Sequence, residues 1–384
     1  LKTICFIIKL YISSFQSGYN HENYTEFGAE TSINFPRFMF PFLSNGFKRR
    51  IRATTEFGLQ YNYQMRPEFS RIVASANWSY KWGGVSRQQN QHRIDLLDIS
   101  YLYMPSISDS FRIRYLENKE NYILKYNYED RLIVRTGYSY TFNSSGRALI
   151  NNTIVGNAYF VRFNFESAGN LLYLLAKASH LKKNENGEYT LLNIPFAQYI
   201  KGDIDYGRNI MIDNRNAVAF HVGGGIAIPY GNASILPFEK RYFSGGANSV
   251  RGWSVRSLGP GSFAGDGNFL NQSGDIKLDA SVEYRTRLFW KFRGAMFVDA
   301  GNIWTLKEYA DQAGGKFELN KFYKQIAVAY GLGLRLDLDF FILRFDGGMK
   351  AVNPVYESGR ERYPVFHPRF SRDFAFHFAV GYPF

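Results

Sequence analysis

The sequence contains one cysteine, Cys5, and no hydrophobic run long enough to cross a bilayer as a helix. A single cysteine excludes an internal disulfide framework, and no Cys/His spacing resembles a zinc site. A spanning helix needs about 18 to 20 consecutive apolar residues. If this protein lies in a membrane, it must therefore cross it as a barrel, because only helices and closed barrels satisfy their backbone hydrogen bonds in lipid.

Enzyme and cofactor signatures are also missing. The six histidines show no metal-ligand spacing, and no Ser/His/Asp grouping stands out. The glycine-rich stretch GGANSVRG is not followed by the Gly-Lys-Ser/Thr of a phosphate loop, and GDGN at 265–268 lacks the acidic ligands of a calcium loop. We therefore predict a protein that is not an enzyme and holds neither a metal nor a cofactor. On the polar faces of their segments, His221 and His377 are expected to be solvated.

Aromatic residues and glycine are abundant instead. Aromatics make up 18% of the chain, with 35 Phe, 28 Tyr and also 35 Gly, a combination typical of strands with aromatic girdles. The net charge of +13 would ordinarily suggest nucleic acid or an anionic surface. Because the basic residues are spread along alternating segments and do not form a block, we predict no nucleic-acid binding.

Long segments alternate between apolar and polar residues, which is the period of a β-strand. Segments 51–66 and 69–82 do so on either side of a short turn, and 274–288 and 324–338 repeat the pattern. Each exceeds the roughly 9 to 11 residues that cross a bilayer at a tilt. A β-sandwich and a membrane barrel share this periodicity, but strand length, aromatics near strand ends and charges confined to one face favour the barrel. A charge facing lipid at mid-depth costs about 2–4 kcal/mol.

We predict about twelve strands, or thirteen if residues 1–16 contribute one. The start of the chain, 1–25, is left open as a strand remnant or a signal-like segment, and 26–384 is assigned to one barrel domain. Long loops are expected on one rim, at 84–130, 168–194, 229–273, 305–323 and 353–373. The remaining strand candidates are 26–35, 131–143, 155–166, 195–208, 214–228, 292–304, 340–351 and 374–384.

Four motifs in order resemble the bacterial surface antigen superfamily of outer-membrane barrels, the BamA/TamA-like proteins. SVRGW at 249–253 resembles the VRG loop motif, SVEYR at 281–285 and FVDAGNIW at 297–304 resemble the motifs of the next two strands, and FHFAVGYPF at 376–384 is similar to the closing strand. Further details, such as PRFMFPF at 36–42, are similar to the TamL/BamA-like proteins of Bacteroidetes. The resemblance covers most of 24–384.

The resemblance implies an all-β, 16-stranded transmembrane barrel whose sixth extracellular loop, 229–273 here, folds into the lumen. The loop motif is Val250, Arg251, Gly252 and Trp253, and Arg251 would pair with Glu283 and Asp299 on the barrel wall. The alternation independently places Glu283 on the polar face. Two alternatives remain open: an exposed loop arginine, and two ordinary carboxylates in a lumen charge lattice.

The family also implies a weak seam between the first and last strands, where nascent strands pair by edge addition. On the last strand, alternate residues from Phe374 would face lipid, and Gly381 could loosen the pairing. The residues assigned to this seam strand are Phe376, Phe378, Val380, Gly381, Tyr382 and Phe384.

We therefore predict an integral protein of the bacterial outer membrane that assembles or translocates other proteins. Its expected partners are the bilayer, nascent outer-membrane or surface proteins, and periplasmic or lipoprotein accessory subunits. Neither the periplasmic POTRA domains nor about three of the sixteen strands can be identified. A passive pore with a cationic lumen and a fragment without function are the alternatives.

Overall fold

Fourteen strands form one antiparallel sheet in which every strand pairs with the next one along the chain, from β1 to β14. The computed structural model describes residues 5–17, 22–40, 44, 46, 48, 51, 53–66, 69–83, 89–117, 122–144, 157–265, 271–338 and 340–383. The strands are β1 (Cys5–Ser17), β2 (Glu22–Phe35), β3 (Thr54–Met65), β4 (Phe69–Gly83), β5 (Asn90–Ile107), β6 (Arg131–Asn143), β7 (Ala158–Ala168), β8 (Tyr199–Met211), β9 (Asn216–Pro229), β10 (Ile276–Arg287), β11 (Phe292–Trp304), β12 (Ala327–Asp337), β13 (Ile342–Val352) and β14 (Phe374–Val380).

Helices are few and lie in the connections. Among the helices whose residues are all described, the two longest are α1 (Tyr122–Asn127) and α2 (Asn170–Ala178). In the part of the chain that the structure describes, no helix is both long and apolar enough to span a bilayer. Outside the main sheet, a two-stranded hairpin joins Thr190–Leu191 to Ile194–Pro195. Shorter helical segments are Asp109–Phe111, Arg112–Leu116, Phe238–Lys240, Ala310–Gln312, Phe322–Gln325 and Phe370–Asp373.

The two faces of the sheet separate charge from hydrocarbon. On β11, Met296 and Val298 are 55% and 51% exposed, whereas Phe297 and Asp299 are 3% and 0% exposed. The exposed face is therefore apolar and the buried face carries charge. A β-sandwich in water has the opposite arrangement, because its apolar face is buried against a second sheet. The sheet is thus the wall of a transmembrane barrel, with lipid outside and a polar interior.

The prediction of a loop over 84–130 was wrong, because Asn90–Ile107 forms β5. The ladder between β5 and β6 is irregular between Asp95 and Asp98. Apolar side chains consequently change parity along the strand: Ile94 is on the exposed face before the irregularity, and Leu97 is on it afterwards. A β-bulge inserts an extra residue and so breaks the period of two on which the prediction depended.

The connections follow the predicted rim pattern in the C-terminal part of the sheet. The tight turns 212–215, 288–291 and 338–341 lie at one rim. The first hairpins depart from it, because the longer connection 36–53 lies on the rim of the tight turns. Residues Cys5–Ser17 form a strand, one of the two interpretations left open for the start. The long connections of the other rim are 108–130, 169–198, 230–275, 305–326 and 353–373.

We expect Val298→Arg to destabilise the barrel, because Val298 lies midway along β11 on the exposed apolar face. A cation at that depth costs about 2–4 kcal/mol of folding free energy. Urea unfolding in lipid vesicles, followed by heat-modifiable gel migration, measures the change, with Val298→Leu as the size-conserving control. Equal stability of the Arg and Leu variants would contradict a lipid-facing position.

Candidate functional site: a buried arginine in the lumen loop

The connection between β9 and β10, residues 230–275, turns back into the barrel as two facing segments. Tyr242 and Gly274 exchange two backbone hydrogen bonds of 2.8 Å each, and Ser244 forms a bridge with Leu258 deeper in the loop. Beyond that bridge, the amide of Gly246 donates to the carbonyl of Trp253 over 2.9 Å. This hairpin-like path brings Arg251 to the interior side of the wall.

Residues on either side of Arg251 pack against β12. Val250 and Trp253 are buried and form an apolar cluster with Leu258, Ala327 and Ala329. Gly252 lies so close to this wall that a Cβ atom built on it would be 2.8 Å from the Cβ of Ala329. The motif therefore combines two apolar anchors with a glycine that permits close approach.

Arg251 binds two carboxylates of the barrel wall through a buried guanidinium group. Its Nε donates to Oδ2 of Asp299 over 2.7 Å, and its Nη2 donates to Oδ1 over 2.8 Å, a bidentate pair. Its Nη1 donates to Oε2 of Glu283 over 2.6 Å. The backbone N–H of Arg251 also donates to Asp299 over 3.1 Å. The structure thus brings together the three residues that the resemblance had grouped.

The surroundings keep this guanidinium charged although it is only 1% exposed. Burial lowers the pKa of Arg251, but the hydrogen bond to Asp299 and the charges of Asp299, Glu283 and Asp346 raise that pKa above its ordinary value. The guanidinium carbon also lies 3.4 Å from the ring centroid of Phe297. A ring face adds cation–π attraction where no water competes.

The ionic network is wider than the sequence indicated. Arg335 bridges two wall carboxylates, since it donates to Glu283 over 3.1 Å and to Asp346 over 2.7 Å. Arg285 donates to Glu283 over 2.9 Å. Arg344 donates to the side chain of Asn248 in the loop over 2.5 Å. These residues lie on β10, β12 and β13, so the cluster joins several strands to the loop. The sequence held one signal for these arginines: they lie on the charged faces of strands that follow the loop motif.

The last two strands hold the backbone of the loop. His377 of β14 is buried, and its Nε2 lies 2.9 Å from the carbonyl oxygen of Arg251, which can only accept a hydrogen bond. The expectation of a solvated His377 was wrong, because the loop covers it. On β13, a Cβ added to Gly348 would lie 2.0 Å from the same carbonyl oxygen. His221 lies between Asp205 and Asp279, 3.4 Å from each.

The C-terminal strand is shorter than the alternation suggested. Phe376, Phe378 and Val380 face outward, with exposures of 62%, 58% and 63%. Gly381 follows the end of β14 with a positive φ of 89°. This turn reverses the expected direction of Tyr382, whose ring lies 4.3 Å from the guanidinium of Arg285. Tyr382 was predicted to face lipid, and that prediction was wrong. Phe384 lies outside the described residues.

Nothing in the described ranges is arranged as a metal centre: no group of three or more His, Cys, Asp or Glu side chains there could hold an ion. The chemistry of the site is that of a structural ion cluster. A buried arginine that satisfies two carboxylates resists separation, because removing one partner leaves an uncompensated charge in a low-dielectric interior.

The fold and the site define a class of protein: a membrane barrel in which a buried arginine holds one of the barrel's own loops against the inner wall. Residues 8–384 match the family model described as the Omp85 superfamily domain. The chain belongs to the Omp85 superfamily, and it is an integral outer-membrane protein.

Curated relatives match parts of the chain. The outer membrane protein assembly factor BamA of Neisseria meningitidis is 33% identical over 98 residues, which cover 23% of this chain and 12% of that protein. The human sorting and assembly machinery component 50 homolog is 27% identical over 168 residues, covering 40% and 34%. The matched part therefore spans about a third or less of these relatives.

A solved structure shows the same fold. BamA from Haemophilus ducreyi lacking POTRA domains 1–3 superimposes with a TM-score of 0.60 at 12% identity, over 99% of this chain and 70% of that one. At this identity the likeness concerns the fold alone.

We expect Arg251→Ala to destabilise the barrel by about 3–5 kcal/mol, because Asp299 loses its bidentate buried partner and Glu283 loses one of its three arginines. Arg251→Lys should recover only part of this, since an ammonium group cannot form the bidentate pair. The midpoint of urea unfolding in detergent micelles measures both.

The matched control is Arg256→Ala in the same loop, where the guanidinium lies 4.2 Å from the ring of Phe243. A cation–π contact of this kind contributes about 0.5–1 kcal/mol. If the Arg251 and Arg256 variants lost equal stability, the ion cluster would not be the anchor of the loop.

We expect Gly348→Ala to displace the loop without altering any charge, because the added methyl group would overlap the carbonyl of Arg251. Protease cleavage within 241–263 and ion conductance in planar bilayers should both increase. Gly202→Ala on β8 is the control, since nothing lies within 4 Å of a Cβ there. Unchanged cleavage in the Gly348 variant would show that the loop does not depend on this contact.

Proposed function

We propose that this chain is the membrane barrel of a factor that assembles other proteins into the outer membrane or translocates them across it. Membership of the Omp85 superfamily supports this, as does the similarity to the Neisseria relative, which is an outer membrane protein assembly factor. On this proposal the barrel is not an enzyme: it lowers the barrier to strand pairing and insertion and forms no covalent bond.

The buried position of Arg251 is the observation that carries the proposal. A passive pore needs an open aqueous path, whereas here the loop is held across the interior by an ion cluster on β10, β11 and β13. The loop also packs against the wall nearer the long-loop rim, where Leu236, Tyr242 and Ile303 belong to one buried apolar cluster. The arrangement therefore favours an assembly factor over a diffusion channel.

The place of action on this proposal is the seam between the first and last strands of the barrel, and β14 is the last strand that the structure describes. β14 has only 7 residues. Its ladder with β13 ends at Met349, so residues 350–352 of β13 extend past the ladder. A short terminal strand with free backbone groups can accept a client strand by β-augmentation. Because His377 contacts the loop, the seam strand and the pinned loop are mechanically connected.

Three finer assignments belong to the same proposal. The clients are nascent outer-membrane or surface proteins, recognised through backbone hydrogen bonds at the strand edge. Periplasmic or lipoprotein accessory subunits deliver them. The motif detail at 36–42 favours a TamA-like member of the kind found in Bacteroidetes.

Site-specific photocrosslinking tests the seam. A photoreactive amino acid at Phe378 on β14 should capture nascent outer-membrane proteins, whereas the same residue at Leu332 on β12 should not. The two positions are matched, with exposures of 58% and 66% on the outward apolar face. Equal capture at both positions, or capture at neither while the barrel is folded, would contradict action at the seam. Large, steady, anion-selective conductance of the unaltered protein would instead favour a pore.

A further inference from the structure

Helix α2 carries an unusual apolar surface. Leu171, Leu174 and Leu175 are 68%, 64% and 54% exposed, and their spacing places them on one face of the helix. The opposite face is already packed, since Ala176 is buried and the ring of Tyr173 lies 5.5 Å from that of Tyr189. The leucines are therefore left without a protein partner in the described structure, although a helix at a protein–water surface normally shows polar residues there.

The position of α2 identifies what covers this face. α2 begins two residues after the end of β7, and β7 has 11 residues, about the length that crosses a bilayer. The end of β7 therefore lies at the membrane surface. Phe165 near that end and Ile200 at the start of β8 are exposed on the outward face. The leucine face of α2 is therefore next to the part of the barrel wall that contacts lipid.

Polar contacts hold the first turn of α2 against the barrel. Asn170 accepts hydrogen bonds from Gln198 over 2.9 Å and from the hydroxyl of Tyr230 over 2.7 Å. Both partners lie at the same rim, where β8 begins and β9 ends. The helix is thus fixed at the level of the bilayer surface and does not extend freely from it.

The charges around α2 complement an anionic surface. Lys177, Lys182 and Lys183 are exposed in and directly after the helix. Nearby Glu188 is engaged by Arg131 over 3.2 Å, which leaves Glu185, among the described residues, as the one exposed carboxylate close in sequence to the three lysines. Apolar residues on one face with flanking lysines are the pattern of a helix that lies in a membrane interface, where the lysines reach lipid phosphate groups.

We propose that α2 is an interfacial membrane anchor: its leucine face enters the outer leaflet next to β7 and β8, and its lysines bind the phosphate groups of anionic lipids. The anchor would fix the long-loop rim of the barrel at a defined depth. This inference depends on the barrel fold and its membrane location, and it is independent of any assembly activity.

Fluorescence quenching in nanodiscs tests the proposal. In a Cys5→Ser background, Leu174→Cys carries a small fluorophore, and the lipid is phosphatidylcholine with nitroxide-labelled acyl chains. The label should be quenched by the nitroxide lipid and protected from aqueous iodide. Leu332→Cys on the lipid face of β12 provides the quenched reference, and Glu185→Cys, which is exposed after α2, provides the aqueous one.

Two outcomes would overturn the anchor. A label at position 174 that is quenched by iodide as strongly as the label at 185 faces water. A label protected from both quenchers is covered by protein, such as a second copy of this chain. Replacing Lys177, Lys182 and Lys183 by Gln tests the charges: addition of phosphatidylglycerol should increase lipid quenching only in the unaltered chain. An equal response of both proteins to phosphatidylglycerol would overturn the role of the lysines.

Discussion

The desolvated pair between Arg251 and Asp299 constrains the rest of the interior. A guanidinium withdrawn from water is tolerated only where carboxylates satisfy it, so Glu283, Asp299 and Asp346, on β10, β11 and β13, must lie at matching heights in the sheet. The register of β10 and β11 meets this requirement. Ser281 lies opposite Asp299, and Glu283 is two residues further along β10 on the same face. The position of one loop cation therefore depends on the correct pairing of several strands.

The same constraint determines which face of the sheet carries the charged side chains. Charges that cannot face lipid must face inward, and a lumen rich in charge requires either water or a compensating plug. Here the plug supplies one of the charges itself. Trp253 and Val250 then fill the space along β12 that an ion pair alone would leave hydrated. The loop is consequently both the counter-ion and part of the hydrophobic packing of the lumen.

Sequence reasoning predicted the elements that follow a regular period and missed those that interrupt it. β6 and β11 were predicted with their observed bounds, because their alternation is unbroken. β5 was missed because its bulge shifts the parity, and Tyr382 was placed on the wrong side because Gly381 reverses the chain. Of the ion cluster, a motif indicated Arg251, Glu283 and Asp299. Arg335 and Asp346 could not be assigned, since their contacts depend on the register between β12 and β13, which no local pattern encodes.

The contacts that hold the loop are distributed unevenly over the strands of the sheet. The ion cluster joins the loop to β10 through β13, and His377 extends this connection to β14 by one hydrogen bond to a backbone carbonyl. That bond is far weaker than the charged contacts, because it involves no carboxylate. Loss of the contact made by His377 would therefore break one link to the loop, while the cluster stays intact. The anchoring of the plug therefore resides in β10 to β13, and the last strand contributes little to it.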